Sequence, residues 1–120
     1  MTPILAFDIE TVPDAAAIRL LEKLPDSISD AEAVELAAQA RRAKTGSDFM
    51  PLHLQRVIAI SCCLRWGGKI HIGTLGSPES TEAETVAEFF KLVARYTPRL
   101  VSWNGGGFDL PVLHYRALVH

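Results

Sequence analysis

The chain has 120 residues, of which 48% are hydrophobic, so it can bury one modest core and is expected to form a single domain over residues 1–120. Its formal net charge of -2 excludes a protein that grips duplex DNA through a broad basic surface and counterion release alone. No basic leader precedes the apolar N-terminal run, which is too short for a signal peptide or a membrane span. The sequence therefore predicts a cytoplasmic protein with no membrane partner.

The first half of the chain predicts one strand and two helices. Apolar residues without helical spacing indicate a buried strand over about 3–10, and an alanine-rich segment indicates a helix over 15–23. Ser29 and Glu32 have the spacing of a capping box, which opens a second helix that ends near Gly46. These helices are expected to form an insertion beside the core.

The second half predicts a hairpin, a helix, a strand and a last helix. Strands are expected over 56–65 and 70–75, joined by Gly67 and Gly68. A capping box at Thr81 opens a helix that extends to about 96, a strand over 99–104 follows, and Pro111 begins the last helix. An antiparallel hairpin followed by a crossover helix and a parallel strand predicts a mixed α/β sheet with flanking helices.

Adjacent cysteines lie in the first strand of this hairpin. Cys62 and Cys63 must point to opposite faces of a strand, so they are not expected to form an ordinary disulfide. Both are predicted to be reduced, with one of them buried as a small apolar residue.

Carboxylates occur at the ends of two of these predicted strands. Alternation along a strand places Asp8 and Glu10 on the same side, where two like charges either share a proton or hold a divalent cation. We favour the cation, because carboxylate oxygens suit Mg²⁺ or Mn²⁺. Asp109 follows the strand over 99–104 just before a helix, where α/β sheets collect ligand groups. Three carboxylates are therefore expected to converge.

These residues resemble a known family. Phe7-Asp8-Ile9-Glu10-Thr11 is similar to the first motif of DEDD-type (DnaQ-like) 3'-5' exonucleases, and Asn104-x-x-x-Phe108-Asp109 is similar to the second motif of proofreading domains in family B DNA polymerases. More narrowly, the chain resembles the predicted stand-alone bacterial exonucleases related to that proofreading domain, including the approach to the second strand at 51–56.

The resemblance implies a ribonuclease-H-like sheet and a function. It implies metal-dependent 3'-5' hydrolysis of single-stranded nucleic acid, with DNA favoured, and a part in DNA repair. Two divalent cations, Mg²⁺ or Mn²⁺, would be bridged by Asp8, with Glu10 on the ion that activates water and Asp109 on the ion near the leaving oxygen. The substrate end would be held by Ile9, Thr11, Asn104 and Phe108.

The third motif of this family is absent from the 120 residues. It requires a tyrosine or histidine followed four residues later by aspartate, but His114 and Tyr115 are each followed at that spacing by an apolar residue. The sequence is therefore expected to be an N-terminal part of an exonuclease domain with a C-terminally incomplete sheet. Weak activity or none, and self-association through the incomplete sheet, are the corresponding expectations.

Other interpretations of the same residues stay open. The first motif also resembles the Asp-x-Asp-x-Thr motif of haloacid-dehalogenase-type phosphatases, but Glu10 replaces the second aspartate and the later signals of that class are missing. A nucleic-acid-binding module without chemistry is a second alternative. In structural terms, Asn104 can cap the glycine turn through its side chain, and Trp103 and Phe108 are expected to be core residues first.

Overall fold

The computed structural model describes residues 2–120 and contains one four-stranded sheet. Its strands are β1 (Ile4–Pro13), β2 (Gln55–Trp66), β3 (Lys69–Leu75) and β4 (Arg99–Val101). Their order across the sheet is β3-β2-β1-β4, with β2 and β3 antiparallel and β1 and β4 parallel. The predicted α/β class with a mixed sheet is confirmed, and this arrangement is consistent with a ribonuclease-H-like fold.

Turn chemistry fixes the hairpin between β2 and β3. Gly67 and Gly68 have φ angles of +60° and +75°, so both central residues adopt the left-handed conformation that a two-residue hairpin turn requires. The register places Trp66 opposite Lys69 and Ile60 opposite Leu75. The predicted hairpin is therefore confirmed, including its turn residues.

Three of the four α-helices in residues 2–120 begin at side-chain caps, and the last begins without one. The four are α1 (Ala15–Glu22), α2 (Asp30–Thr45), α3 (Glu82–Tyr96) and α4 (Leu110–Val119). Ser29 accepts a hydrogen bond from the Glu32 amide, and Thr81 and Glu84 form a reciprocal capping box. Gly46, with φ at +82°, ends α2 in the left-handed conformation.

The chain divides into two compact units. One contains Val12–Arg56, and the other contains the residues up to Thr11 together with Val57–His120. The first unit packs α1 against α2 around a small core whose buried members are Ile18, Ala33, Ala38 and Met50. Its bounds agree with the insertion that the sequence predicts between the first and second strands.

The second unit packs α3 against one face of the sheet. The Phe7 ring of β1 lies 5.0 Å from the Phe89 ring of α3, and both residues are buried. Because side chains alternate along a strand, this contact turns the neighbours of Phe7 toward the opposite face. Asp8, Glu10 and Asp109 all lie in this unit.

Two predictions about the last strand are wrong. β4 ends at Val101 rather than at Asn104, and Trp103 is fully exposed rather than part of the core. The cause is the turn that follows, in which the Asn104 carbonyl accepts hydrogen bonds from the amides of Gly107 and Phe108. That bonding commits the segment to a turn before β4 can continue along β1.

None of the helices within residues 2–120 combines the length and the apolar character that a bilayer span needs.

The two cysteines are expected to differ in reactivity. Both are free, Cys62 is buried and Cys63 is partly buried, and burial raises the pKa of the Cys62 thiol from 9.0 to about 11. Because the thiolate is the reacting form, iodoacetamide should alkylate Cys63 well before Cys62 at mildly alkaline pH, as peptide mass spectrometry would measure. In denaturing urea the two rates should become similar. Equal rates in the native protein would contradict the assigned alternation of β2.

Candidate active site

Asp8 and Glu10 share the open face of β1. Both are exposed, whereas the intervening Ile9 and the preceding Phe7 are buried, with Phe7 packed against Phe89 of α3. This alternation follows from the two-residue period of a strand and keeps the two carboxylates in water. Neither carboxylate is used to hold the core, so both are available to a ligand.

Asp109 lies at the end of a glycine-rich turn. Gly105–Asp109 form a single π-helical turn that leads directly into α4, a local geometry that occurs often at functional sites. A Cβ atom on Gly107 would lie 2.7 Å from Asn104 Oδ1, and one on Gly105 would lie 2.9 Å from Ser102 Cβ. A side chain at Gly105 would collide with Ser102, whereas one at Gly107 would meet only the Asn104 side chain, which can turn away.

The carboxylate of Asp109 is bound to the backbone of β1. The Ile9 amide donates a hydrogen bond to Asp109 Oδ2 at 3.3 Å, and Asp109 is only 4% exposed. β4 pairs with β1 no further than Ala6, opposite Val101, so Ile9 lies beyond the last strand partner. The Asp109 side chain therefore provides the acceptor that a longer β4 would have offered, and it does so at the residue between Asp8 and Glu10.

The other predicted site residues differ in exposure. Thr11 and Phe108 are partly buried, and Asn104 is exposed. The backbone carbonyl of Asn104 closes the turn that begins there, and the Asn104 side chain makes no capping hydrogen bond. The Ile9 amide already has a partner in Asp109, and a contact of Ile9 with a nucleotide stays a prediction.

The acidic groups provide the oxygen ligands that a hard cation prefers. Asp8 and Glu10 present oxygen ligands to solvent, and the Asp109 carboxylate is fastened to the residue between them. Within residues 2–120, however, no three histidine, cysteine, aspartate or glutamate side chains form a group that could hold a metal ion. Mg²⁺ usually takes one or two carboxylates and completes its shell with water and substrate phosphate oxygens. The residues therefore fit a cation shared with water and substrate, not a closed protein cage.

A known family matches more than half of this chain. Residues 47–120 match the family of predicted 3'-5' exonucleases related to the exonuclease domain of PolB. The chain belongs to this family. The matched residues include Asn104, Phe108 and Asp109, whereas Asp8 and Glu10 precede them, so the first motif is an observation separate from the match. Neither the curated proteins nor the solved structures give a match.

A second polar cluster, centred on Glu82, was not expected from the sequence. The Glu82 carboxylate accepts hydrogen bonds from Arg116 Nε at 2.8 Å and Arg116 Nη2 at 2.6 Å, and from the Val57 amide at 2.6 Å. His120 Nε2 lies 2.7 Å from the same carboxylate. A signal existed in the sequence, because Arg116 is the only charged residue of an otherwise apolar and aromatic helix and lies seven residues after Asp109.

These contacts set the charge state of Glu82. Burial by itself raises the pKa of this carboxyl group, but the hydrogen bonds from Arg116, His120 and Val57 and the charge of Arg116 together lower the pKa below its ordinary 4.5. A lowered pKa in the folded state means that the ionised form contributes stability above pH 4.5, and that this contribution is lost as the pH falls through the lowered value. At neutral pH the Glu82–Arg116 pair is fully charged.

Removing Asp109 and neutralising Asp8 should affect stability differently. Asp109→Ala leaves the buried Ile9 amide without its acceptor, which should lower the free energy of unfolding by about 1 to 3 kcal/mol. Asp8→Asn changes an exposed side chain beside Glu10, so stability should stay within about 0.5 kcal/mol or rise slightly. Urea unfolding in the presence of a chelator measures both. A larger loss in Asp8→Asn than in Asp109→Ala would contradict the described contacts.

Proposed function

We propose that this chain hydrolyses phosphodiester bonds from the 3' end of single-stranded nucleic acid, with DNA favoured, at a site formed by Asp8, Glu10 and Asp109. The observation that carries the proposal is the hydrogen bond from the Ile9 amide to Asp109 Oδ2. It joins the residue between the two acids of the first motif to the acid of the second motif. Membership of the exonuclease family supports the same reaction.

The three acids divide into two kinds. Asp8 and Glu10 are exposed and offer oxygen ligands at the surface, whereas Asp109 is buried and fixed by the strand. Divalent cations, when bound, generate hydroxide from water and offset charge on the scissile phosphate and the leaving oxygen. Asp8, Glu10 and Asp109 are the residues that would hold them. These three residues concentrate negative charge beside β1. The two exposed carboxylates, those of Asp8 and Glu10, are not taken up by structural contacts.

Single-stranded nucleic acid is a better substrate for this chain than a duplex. The net charge of -2 gives no broad basic surface, so affinity must come from the site and from contacts to the strand end. Phe108 is partly buried beside Asp109, where an aromatic ring that stacks on a terminal base contributes about 1 to 3 kcal/mol. Asn104 is exposed at the start of the same turn and has an amide for hydrogen bonding.

We expect the rate of the 120 residues by themselves to be low. They contain no tyrosine or histidine followed four residues later by aspartate, which is the source of the general base and the fourth carboxylate in the DEDD pattern. General-base assistance alone is typically worth about 10² to 10⁴ in rate. Slow but cation-dependent hydrolysis is therefore the expected behaviour.

A module that binds nucleic acid without hydrolysing it is the second candidate. The observation in its favour is that the described part of the chain has no three-residue metal-binding group. Such a module would bind a single strand with no requirement for Asp8 or Glu10.

Hydrolysis is tested with a single-stranded DNA oligonucleotide labelled at its 5' end and incubated with the protein and Mn²⁺ or Mg²⁺. The product ladder should shorten one nucleotide at a time from the 3' end, and chelation should stop it. Asp8→Asn and Glu10→Gln should each abolish the shortening. Asp26→Asn, which changes an exposed acid in the other compact unit, is the matched control and should retain the wild-type rate.

The outcomes separate the two candidates. Shortening that persists in chelator, or that is equal in Asp8→Asn and wild type, would contradict the proposal. A wild-type protein that binds the oligonucleotide equally well with and without cation and never shortens it would favour the inert module.

A further inference from the structure

Glu82 is the point at which three separate elements of the sheet-containing unit meet. It is the first residue of α3, and its carboxylate accepts hydrogen bonds from the β2 amide of Val57 and from the α4 side chain of Arg116. The side chains of Glu82 and Arg116 are 5% and 2% exposed. A buried carboxylate with this many donors is fully satisfied, so it has no capacity left for a ligand and its role must lie in holding these elements together.

The ion pair acts on the helix that carries Asp109. Asp109 immediately precedes α4, and Arg116 lies seven residues later, which is about two turns or 10 Å along the helix. Residues seven apart lie on the same side of a helix. Both are buried, at 4% and 2% exposure, so one side of α4 is attached to the rest of the unit by two polar contacts about two turns apart.

The apolar contacts of α4 do not by themselves fix its position along its axis. Val112 and Leu113 are fully buried, but apolar packing is not directional and tolerates small shifts. The helix begins without a side-chain cap, after the turn that contains three consecutive glycines. The forked hydrogen bonds of Arg116, in contrast, require one orientation of the guanidinium group against the carboxylate.

We infer that Glu82 is a positioning residue, which holds α4 through Arg116 and thereby keeps the Asp109 carboxylate against the Ile9 amide. Its consequence for the reaction rests on the proposed function, whereas its consequence for the Asp109–Ile9 contact does not. Glu82 touches no reacting group and sets the geometry of one that does.

The test uses Glu82→Gln, which keeps the shape of the side chain and removes its charge. Glu88→Gln is the matched control, because Glu88 is an exposed glutamate on the same helix. The first readout is the hydrogen-exchange rate of the Ile9 amide at neutral pH, measured by NMR against the Leu5 amide in the same strand. Glu82→Gln should accelerate exchange at Ile9 by about tenfold or more while Leu5 changes little, and Glu88→Gln should change neither.

The second readout is the rate of cation-dependent hydrolysis. Glu82→Gln should lower kcat with little change in KM, because contacts to the strand end are retained while the position of Asp109 is not. If wild-type protein shows no hydrolysis, the proposed function fails, and the exchange of the Ile9 amide still decides the role of Glu82.

Two results would overturn the inference. One is unchanged exchange at Ile9 in a folded Glu82→Gln protein. The other is equal acceleration at Ile9 and Leu5, which would show that Glu82 supports the fold as a whole and not the position of α4. If Glu82→Gln does not fold, Arg116→Lys replaces it, since lysine keeps the positive charge but cannot make the forked contact. Selective acceleration at Ile9 is again the expected result.

Discussion

A single hydrogen bond, from the Ile9 amide to the Asp109 carboxylate, connects the two parts of the sequence on which the site depends. The two residues are 100 positions apart and the bond is buried. Without it, Asp8 and Glu10 would be two acids on an exposed strand face, and Asp109 would be a polar residue at the start of a helix. The bond gives Asp109 a fixed place beside β1, at the end of the turn that also contains Asn104 and Phe108.

The fold creates the need for that bond. β4 is parallel to β1 but only three residues long, so the β1 backbone beyond Ala6 loses its strand partner on that side. A buried amide without an acceptor is costly, and the carboxylate of the following turn removes that cost. Gly105 lets the turn close tightly enough to bring Asp109 there. Two turns further along the same side of α4, the Glu82–Arg116 pair joins the helix to α3.

Much of this architecture follows from local sequence, and what does not follow depends on long-range contacts. The hairpin at Gly67–Gly68 and the caps at Ser29 and Thr81 are local chemistry, so they could be predicted. The exposure of Trp103 could not be predicted, because it depends on which amides donate hydrogen bonds to the Asn104 carbonyl. The Glu82–Arg116 pair joins residues 34 positions apart, and only the approach of α3 to α4 brings them together. For the site, alternation predicts that Asp8 and Glu10 share a face, but it does not show that the Ile9 amide between them is engaged by Asp109.

The central claim is that Asp8, Glu10 and Asp109 act at one place, and paramagnetic NMR with Mn²⁺ tests it directly. Sub-stoichiometric Mn²⁺ should broaden the amide resonances of residues 8–10 and 109 most strongly, and Asp8→Asn should greatly reduce this broadening. The acids near the start of α2, such as Asp30 and Glu32, provide an internal comparison, because they are exposed and lie in the other compact unit. Broadening centred on those acids, or at residues 8–10 without residue 109, would contradict the account.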